Sequence, residues 1–488
     1  MHAKRQGRAF WHWYAKDDTP EERKLIVKLD ALIIPYAVLA YWIKYIDQSN
    51  LNNAYVSGLK EDLNFQKNQL VNLNAMYTAG AVIGQLPFTI LFPMFPMNYT
   101  IPALEAGWGI FTLLQYRAQG YAELMTYRFF VGIFEARVHF VLGAWYRGDE
   151  LGRRGGVFYV GQMLGTLTAG LIQSGASSNL DGVRGLAGWR WMFIISALMT
   201  IPIAIAGVVV WPGTPAKPNM LILTDQDLAL AIKRLKETKA DTTEEVKHGK
   251  WQLVRNIATD WKIYILTLWA ILFWNSGSTS SGAYLLWLKS LHRFSTPEVN
   301  QLGTTAPALG IFYVLFVNFS SDLLWGPTGA IAFAHVWNFT AMTILAVWKV
   351  PESAKWFALN SSYIQVAMSS VLYGWANDML RHNATERSIV IVFMNLIAQS
   401  TTAWTSVLVF PTVEAPRFLK GFTFCATNSV LLVLFTYLVV RPYSQALERK
   451  YESDAESEVS APEFEESGGG KSVERGSKSG TIATEATV

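Results

Sequence analysis

Long apolar runs separated by short polar breaks fill most of this chain. A helix needs about 20 mostly apolar residues to cross a bilayer. Twelve segments meet that standard, near 30–48, 70–93, 99–116, 121–144, 156–176, 189–211, 261–283, 301–321, 327–348, 354–376, 388–410 and 421–441. A polar stretch, 212–260, divides them six and six. The pattern predicts an all-α membrane protein of twelve transmembrane helices in two six-helix bundles. The expected order is a cytoplasmic N-terminal segment (1–29), a first bundle (30–211), a cytoplasmic central loop (212–260), a second bundle (261–441) and a disordered cytoplasmic tail (442–488).

The polar breaks carry their own signals. In "DDTPEERKLIVKLD", Thr19 fits a helix N-cap, Pro20 the first helical position and Glu22 the third, where its side chain closes a capping box. This charged start does not read as a signal peptide. In "LTDQDLALAIKRLKETKA", Thr224 or Asp225 caps an amphipathic helix running to about Lys239. Basic residues concentrate in the N-terminal segment, the central loop and "YRGDELGRRGG", which places both termini and the central loop on the cytoplasmic side. The tail beyond 446 is rich in Ser, Glu and Gly and cannot bury a core.

Composition excludes several classes. Charged residues make up 16% of the chain, where a soluble protein carries about 25%. A net charge of +4 is too small to suggest nucleic acid. The single cysteine, Cys425, rules out an internal disulfide, and the seven histidines show no metal-ligand spacing, so no metal, cofactor or enzymatic activity is expected.

Charges inside the apolar runs point to chemistry, because an ionisable group in a span costs several kcal/mol. The first span carries Lys44 and Asp47, one turn apart. The fourth, "LMTYRFFVGIFEARVHFVLGAWY", carries Arg128 and Glu135, almost two full turns apart on one face. Together they offer two cations for an anionic substrate and two carboxylates for proton coupling, with Arg128 suited to grip a carboxylate in two-pronged fashion. Lys44 and Asp47 are close enough to bias each other's charge. Asn275 and Tyr284, in and after the seventh span, are candidates for the cavity wall. "GAVIG" (Gly80–Gly84) and "GQMLG" (Gly161–Gly165) have the spacing that lets helices approach closely.

Twelve spans in two sixes with a long basic central loop resemble the major facilitator superfamily. "KYIDQSNLNNAYVSGLKEDL", "RFFVGIFEA", "LGAWYRGDELGRR", "GLAGWRWMFII" and "FPTVEAPRFLKGF" resemble the fungal allantoate permease branch of its anion:cation symporters, and within it the plasma-membrane pantothenate transporters. The resemblance covers about 25–441. It implies proton-driven transport of a small organic anion by a monomer, with allantoate, nicotinate or another fungal metabolite as alternative cargo, import or export open, and a transport-like nutrient sensor as the more distant reading. It implies that Asp47 and Glu135 are the coupling carboxylates and that Arg128 binds substrate. Some relatives carry an arginine where this chain has Gln48, so that Lys44 would supply the missing charge. After the eighth span Asp322 is kept as a gating residue, but the basic run expected beside it is replaced by "LLWGPTG". After "FEA" the fourth span is about one turn shorter than in such relatives.

Overall fold

A computed structural model describes residues 14, 18–91, 94–135, 145–146, 148–215, 217–240, 255, 259–380 and 384–449. The expected N-terminal segment before 14, the second half of the fourth span (136–144), most of the central loop's end (241–254) and the tail from 450 lie outside the described residues. Within them the chain is helical almost throughout.

The first six passages are Pro20–Ala54, Gln69–Leu91, Met97–Leu114, Tyr121–Phe134, Gly148–Asn179 and Gly188–Val210. The second six begin with Trp261–Trp274 continued by Ala283–Ser290, then Thr296–Gly303 with Thr305–Ser320, then Gly326–Val347. They finish with the segmented run Glu352–Asn360, Ile364–Ala367 and Ser369–Met379, then Ala384–Val409 and Leu419–Phe435. By length and composition alone, five described helices are long and apolar enough to cross a membrane.

Packing repeats between the halves. The first passage packs on the fifth, the second on the fourth and the third on the sixth. The seventh likewise packs on the eleventh, the eighth on the tenth and the ninth on the twelfth. Each pairing in one half recurs six passages later, as expected of two equivalent six-helix bundles. Outward-facing Leu198, Ile205, Phe312, Trp404 and Leu438 are exposed, which in this setting presents an apolar surface to lipid.

The glycine motifs sit at close crossings. A Cβ on Gly80 would come 2.3 Å from the Phe129 carbonyl oxygen, and one on Gly132 would come 2.2 Å from that of Tyr77. On the fifth passage, a Cβ on Gly165 would lie 2.4 Å from the Trp42 carbonyl oxygen. Only hydrogen fits there, so these glycines fix how near the second and fourth, and the first and fifth, helices lie.

The caps form as the sequence predicts. The Glu22 amide donates to Thr19 Oγ1 at 3.2 Å and the Thr19 amide donates to Glu22 at 2.8 Å. Thr224, rather than Asp225, caps the central-loop helix Asp225–Ala240, through reciprocal bonds with Asp227. Lys28 Nζ reaches Asp227 at 2.6 Å, and Leu223 and Ala231 join the core formed by Leu25 and Leu29. The loop helix is thereby built into the first bundle's base.

The seventh and tenth spans differ from expectation in their interiors. The seventh is not one helix over 261–283. "NSGSTSSG" breaks it at Asn275, and Gly282, at φ +67, turns the chain before it resumes. Ser, Asn and Gly compete with or weaken helical backbone bonding. The tenth breaks similarly at "NSSY" after Asn360.

Candidate functional site

The first, second, third, fourth and sixth spans enclose the charged residues. Asp47 is 2% exposed and Arg128 1%. Asp47 Oδ2 accepts hydrogen bonds from Trp108 Nε1 and from Thr112 Oγ1, the latter at 3.0 Å. Its Oδ1 accepts from Asn50 Nδ2 at 3.0 Å, and the same amide reaches Ser196 Oγ at 2.8 Å. Arg128 Nη1 donates to the Asp47 backbone carbonyl at 3.2 Å, and its guanidinium lies 4.7 Å from the centre of the Tyr77 ring. Arg128 Nε and Nη2 have no hydrogen-bond partner among the described residues.

Glu135 ends the described part of the fourth span. The helix stops at Phe134, and Glu135 follows in an extended conformation at ψ 94. From there its carboxylate is ion-paired with Lys44 and accepts the hydroxyl of Tyr77. The Lys44 ammonium also sits 5.3 Å from the ring centres of both Tyr41 and Tyr45. The structure therefore brings Asp47, Arg128, Lys44 and Glu135 together. The ion-pair partner of Lys44 is Glu135 rather than Asp47, which turns toward Trp108 and Thr112. One helical turn places the two on neighbouring rather than identical headings, and the third span fills the space on Asp47's side.

The remaining candidates scatter. Gln48 is half-buried beside this cluster, and its Oε1 is a buried acceptor without a partner among the described residues. Asn275 is buried in the second bundle, where it donates to Thr401 Oγ1 at 2.8 Å and accepts from Thr405 Oγ1 at 2.7 Å. These bonds tie the broken seventh span to the eleventh. Tyr284 shares a hydrogen bond with Thr305 at 2.9 Å and helps line a cleft between the bundles. Asp322 lies in the π-helical turn Ser321–Trp325 at the end of the eighth span; its side chain is outside the described residues.

Sequence reasoning missed the uncharged partners: Tyr77, Trp108, Thr112, Asn50 and Ser196. No spacing rule singles out one tryptophan among 19. It also passed over Glu105, 3% exposed, whose carboxylate accepts the Tyr36 hydroxyl. Glu105 was detectable, being a carboxylate inside the third span.

Paired helical bundles around a buried polar cluster, with a cleft between them, are an arrangement that membrane transporters use. The family model described as Major Facilitator Superfamily matches residues 37–406, and the chain belongs to that superfamily. It is 37% identical to a vitamin H transporter of Saccharomyces cerevisiae over 88% of this chain and 74% of the relative. It is 34% identical to pantothenate transporter liz1 of Schizosaccharomyces pombe, over 82% of this chain and 78% of the relative. Among solved structures it is similar to the proton:xylose symporter XylE bound to 6-bromo-6-deoxy-D-glucose. That likeness has a TM-score of 0.65 at 15% identity and covers 86% of this chain and 96% of the other, which speaks for the fold.

Proposed function

We propose that the chain carries a small organic monocarboxylate, of the class of pantothenate and vitamin H, across the plasma membrane together with protons, by alternating access and as a monomer. Both termini and the central loop would face the cytoplasm. One observation carries the reading. Nε and Nη2 form one edge of the Arg128 guanidinium, and that edge has no partner among the described residues. It matches the two oxygens of a carboxylate, in the bidentate geometry that makes such pairs strong. Two carboxylates, Asp47 and Glu135, lie around the same arginine and supply groups for proton exchange. The relatives that transport vitamin H and pantothenate support the same class of cargo, since both compounds are small monocarboxylic acids.

The test is uptake of labelled pantothenate and labelled vitamin H by a yeast lacking its own carriers for them. Uptake should rise as external pH falls. Asp47→Asn and Glu135→Gln should lose accumulation against a gradient yet keep exchange of internal for external substrate. Full accumulation by either variant removes that residue from coupling, and transport of neither acid overturns the proposal.

A further inference from the structure

A further buried carboxylate lies in the first bundle, apart from the charge cluster. Glu105 of the third span is 3% exposed and meets the hydroxyl of Tyr36, 4% exposed, on the first span. The same hydroxyl lies 3.1 Å from the Ile203 carbonyl oxygen of the sixth. Gly207 makes room for it, since a Cβ there would come 2.2 Å from Tyr36 Oη. No cation faces Glu105 among the described residues. Lys44 on the first span pairs with Glu135, Arg128 on the fourth bonds to the Asp47 backbone, and Arg190 on the sixth pairs with Asp62. Trp211, 4.9 Å from the Tyr36 ring, and Tyr146 belong to the cluster around Tyr36.

Tyr36 has one hydroxyl hydrogen and stands between two oxygens. If Glu105 is ionised, that hydrogen goes to the carboxylate and the contact with Ile203 carries none. If Glu105 is protonated, it donates to Tyr36 Oη and Tyr36 donates on to Ile203, so both contacts are hydrogen bonds. An ionised carboxylate at this depth, without a cation, is also the costlier form. We propose that Glu105 is a third proton-binding residue of the carrier, a neutral acid in this conformation, whose proton latches the first, third and sixth spans together through Tyr36. The proposal rests on the reading of the chain as a proton-driven carrier. On release, the Glu105 O–H bond breaks and the proton passes to water that enters as the spans part. The Tyr36 hydrogen then swings from Ile203 to the carboxylate. Helix movement and proton release thereby favour each other. The latch also reaches Asp47. Trp108 and Thr112, which hold the Asp47 carboxylate, lie on the same face of the third span as Glu105, about 5 and 10 Å along the helix. Glu105 is thus a positioning residue for Asp47.

The experiment reconstitutes the purified full chain in lipid vesicles and follows labelled pantothenate and labelled vitamin H in two modes: accumulation under a pH gradient, and exchange without one. Glu105→Gln keeps a donor for Tyr36 but holds no exchangeable proton. It should accumulate at least about five-fold less than the wild type while exchange is retained. Infrared spectra of the purified protein at neutral pH read the proton directly. The wild type should show the carbonyl stretch of a hydrogen-bonded neutral carboxylic acid. That band should shift in Tyr36→Phe, disappear in Glu105→Gln and persist in Asp47→Asn. Wild-type accumulation by Glu105→Gln, or an equal loss of accumulation and exchange in the folded variant, overturns the part in coupling. A spectrum that Glu105→Gln leaves unchanged overturns the proton site itself. If the wild type moves neither acid but the band is lost in Glu105→Gln, the reading of the cargo fails and the proton site stands.

Discussion

Lys44 and Glu135 form an ion pair with little access to water, at 18% and 7% side-chain exposure. Removing one partner of a buried pair typically costs about 3–5 kcal/mol, whereas removing both can be nearly neutral. Lys44→Gln should therefore lower the melting temperature of the purified protein clearly. The double variant Lys44→Gln with Glu135→Gln should recover most of the loss while still failing to accumulate substrate. Equal melting of single and double variants would show that the pair is not energetically coupled. Arg128 makes a different prediction. Its contact with the Asp47 carbonyl and its stacking on Tyr77 leave a planar edge for substrate, and lysine has no such edge. Arg128→Lys should raise the KM for uptake roughly ten-fold, the loss of about 1.4 kcal/mol, with normal amounts at the cell surface. An unchanged KM would make the arginine a packing residue.

Among the elements, the crossing of the second and fourth spans positions the site. Gly80 and Gly132 place the backbones so near that Tyr77, one helical turn from Gly80, can reach both Arg128 and Glu135. Overpacking a tight contact costs about 1–3 kcal/mol through backbone shifts. Gly132→Ala should lower the melting temperature and reduce transport, since the helices must part and carry Tyr77 with them. Gly175→Ala is the control: a Cβ there meets nothing within 4 Å. Similar losses in both variants would deny the crossing its role.

For the whole molecule, contacts between the bundles gather at the end where the first span finishes. Asn52 and Asn74 donate to the Ser280 carbonyl at 3.4 and 3.5 Å, Asn300 donates to Ser57 Oγ at 2.7 Å, and Lys289 meets Glu61 at 3.1 Å. These contacts close that end, which is the extracellular one on the proposed topology. Their strengths differ. Asn300 is fully buried, and a net hydrogen bond is worth about 0.5–1.5 kcal/mol. The Lys289–Glu61 pair is exposed, so it is worth about 0–1 kcal/mol and is screened by salt. Asn300→Leu should therefore favour opening about 2–10-fold, and Glu61→Gln should do so less. Labelling of a cysteine introduced at Ser280 by a membrane-impermeant maleimide, in intact cells, reads the difference; native Cys425 is buried. Faster labelling in Glu61→Gln than in Asn300→Leu would reverse the assignment of the closing contact.

What the sequence determined by itself follows from the solvent. A bilayer demands long apolar helices and penalises every charge within them, so the spans, their two groups of six, the helix caps and the four charges of the site were all legible. The spacing of Gly80 and Gly84 likewise announced close packing. Tertiary structure alone decided the pairing. Which cation faces which carboxylate depends on how helices distant in sequence are rotated against one another, and the third span's Trp108 and Thr112 claim Asp47 while leaving Lys44 to Glu135. The cleft was hidden for the same reason. Its walls include ordinary Ser, Asn, Thr and Tyr, which come together only where helices from two bundles converge.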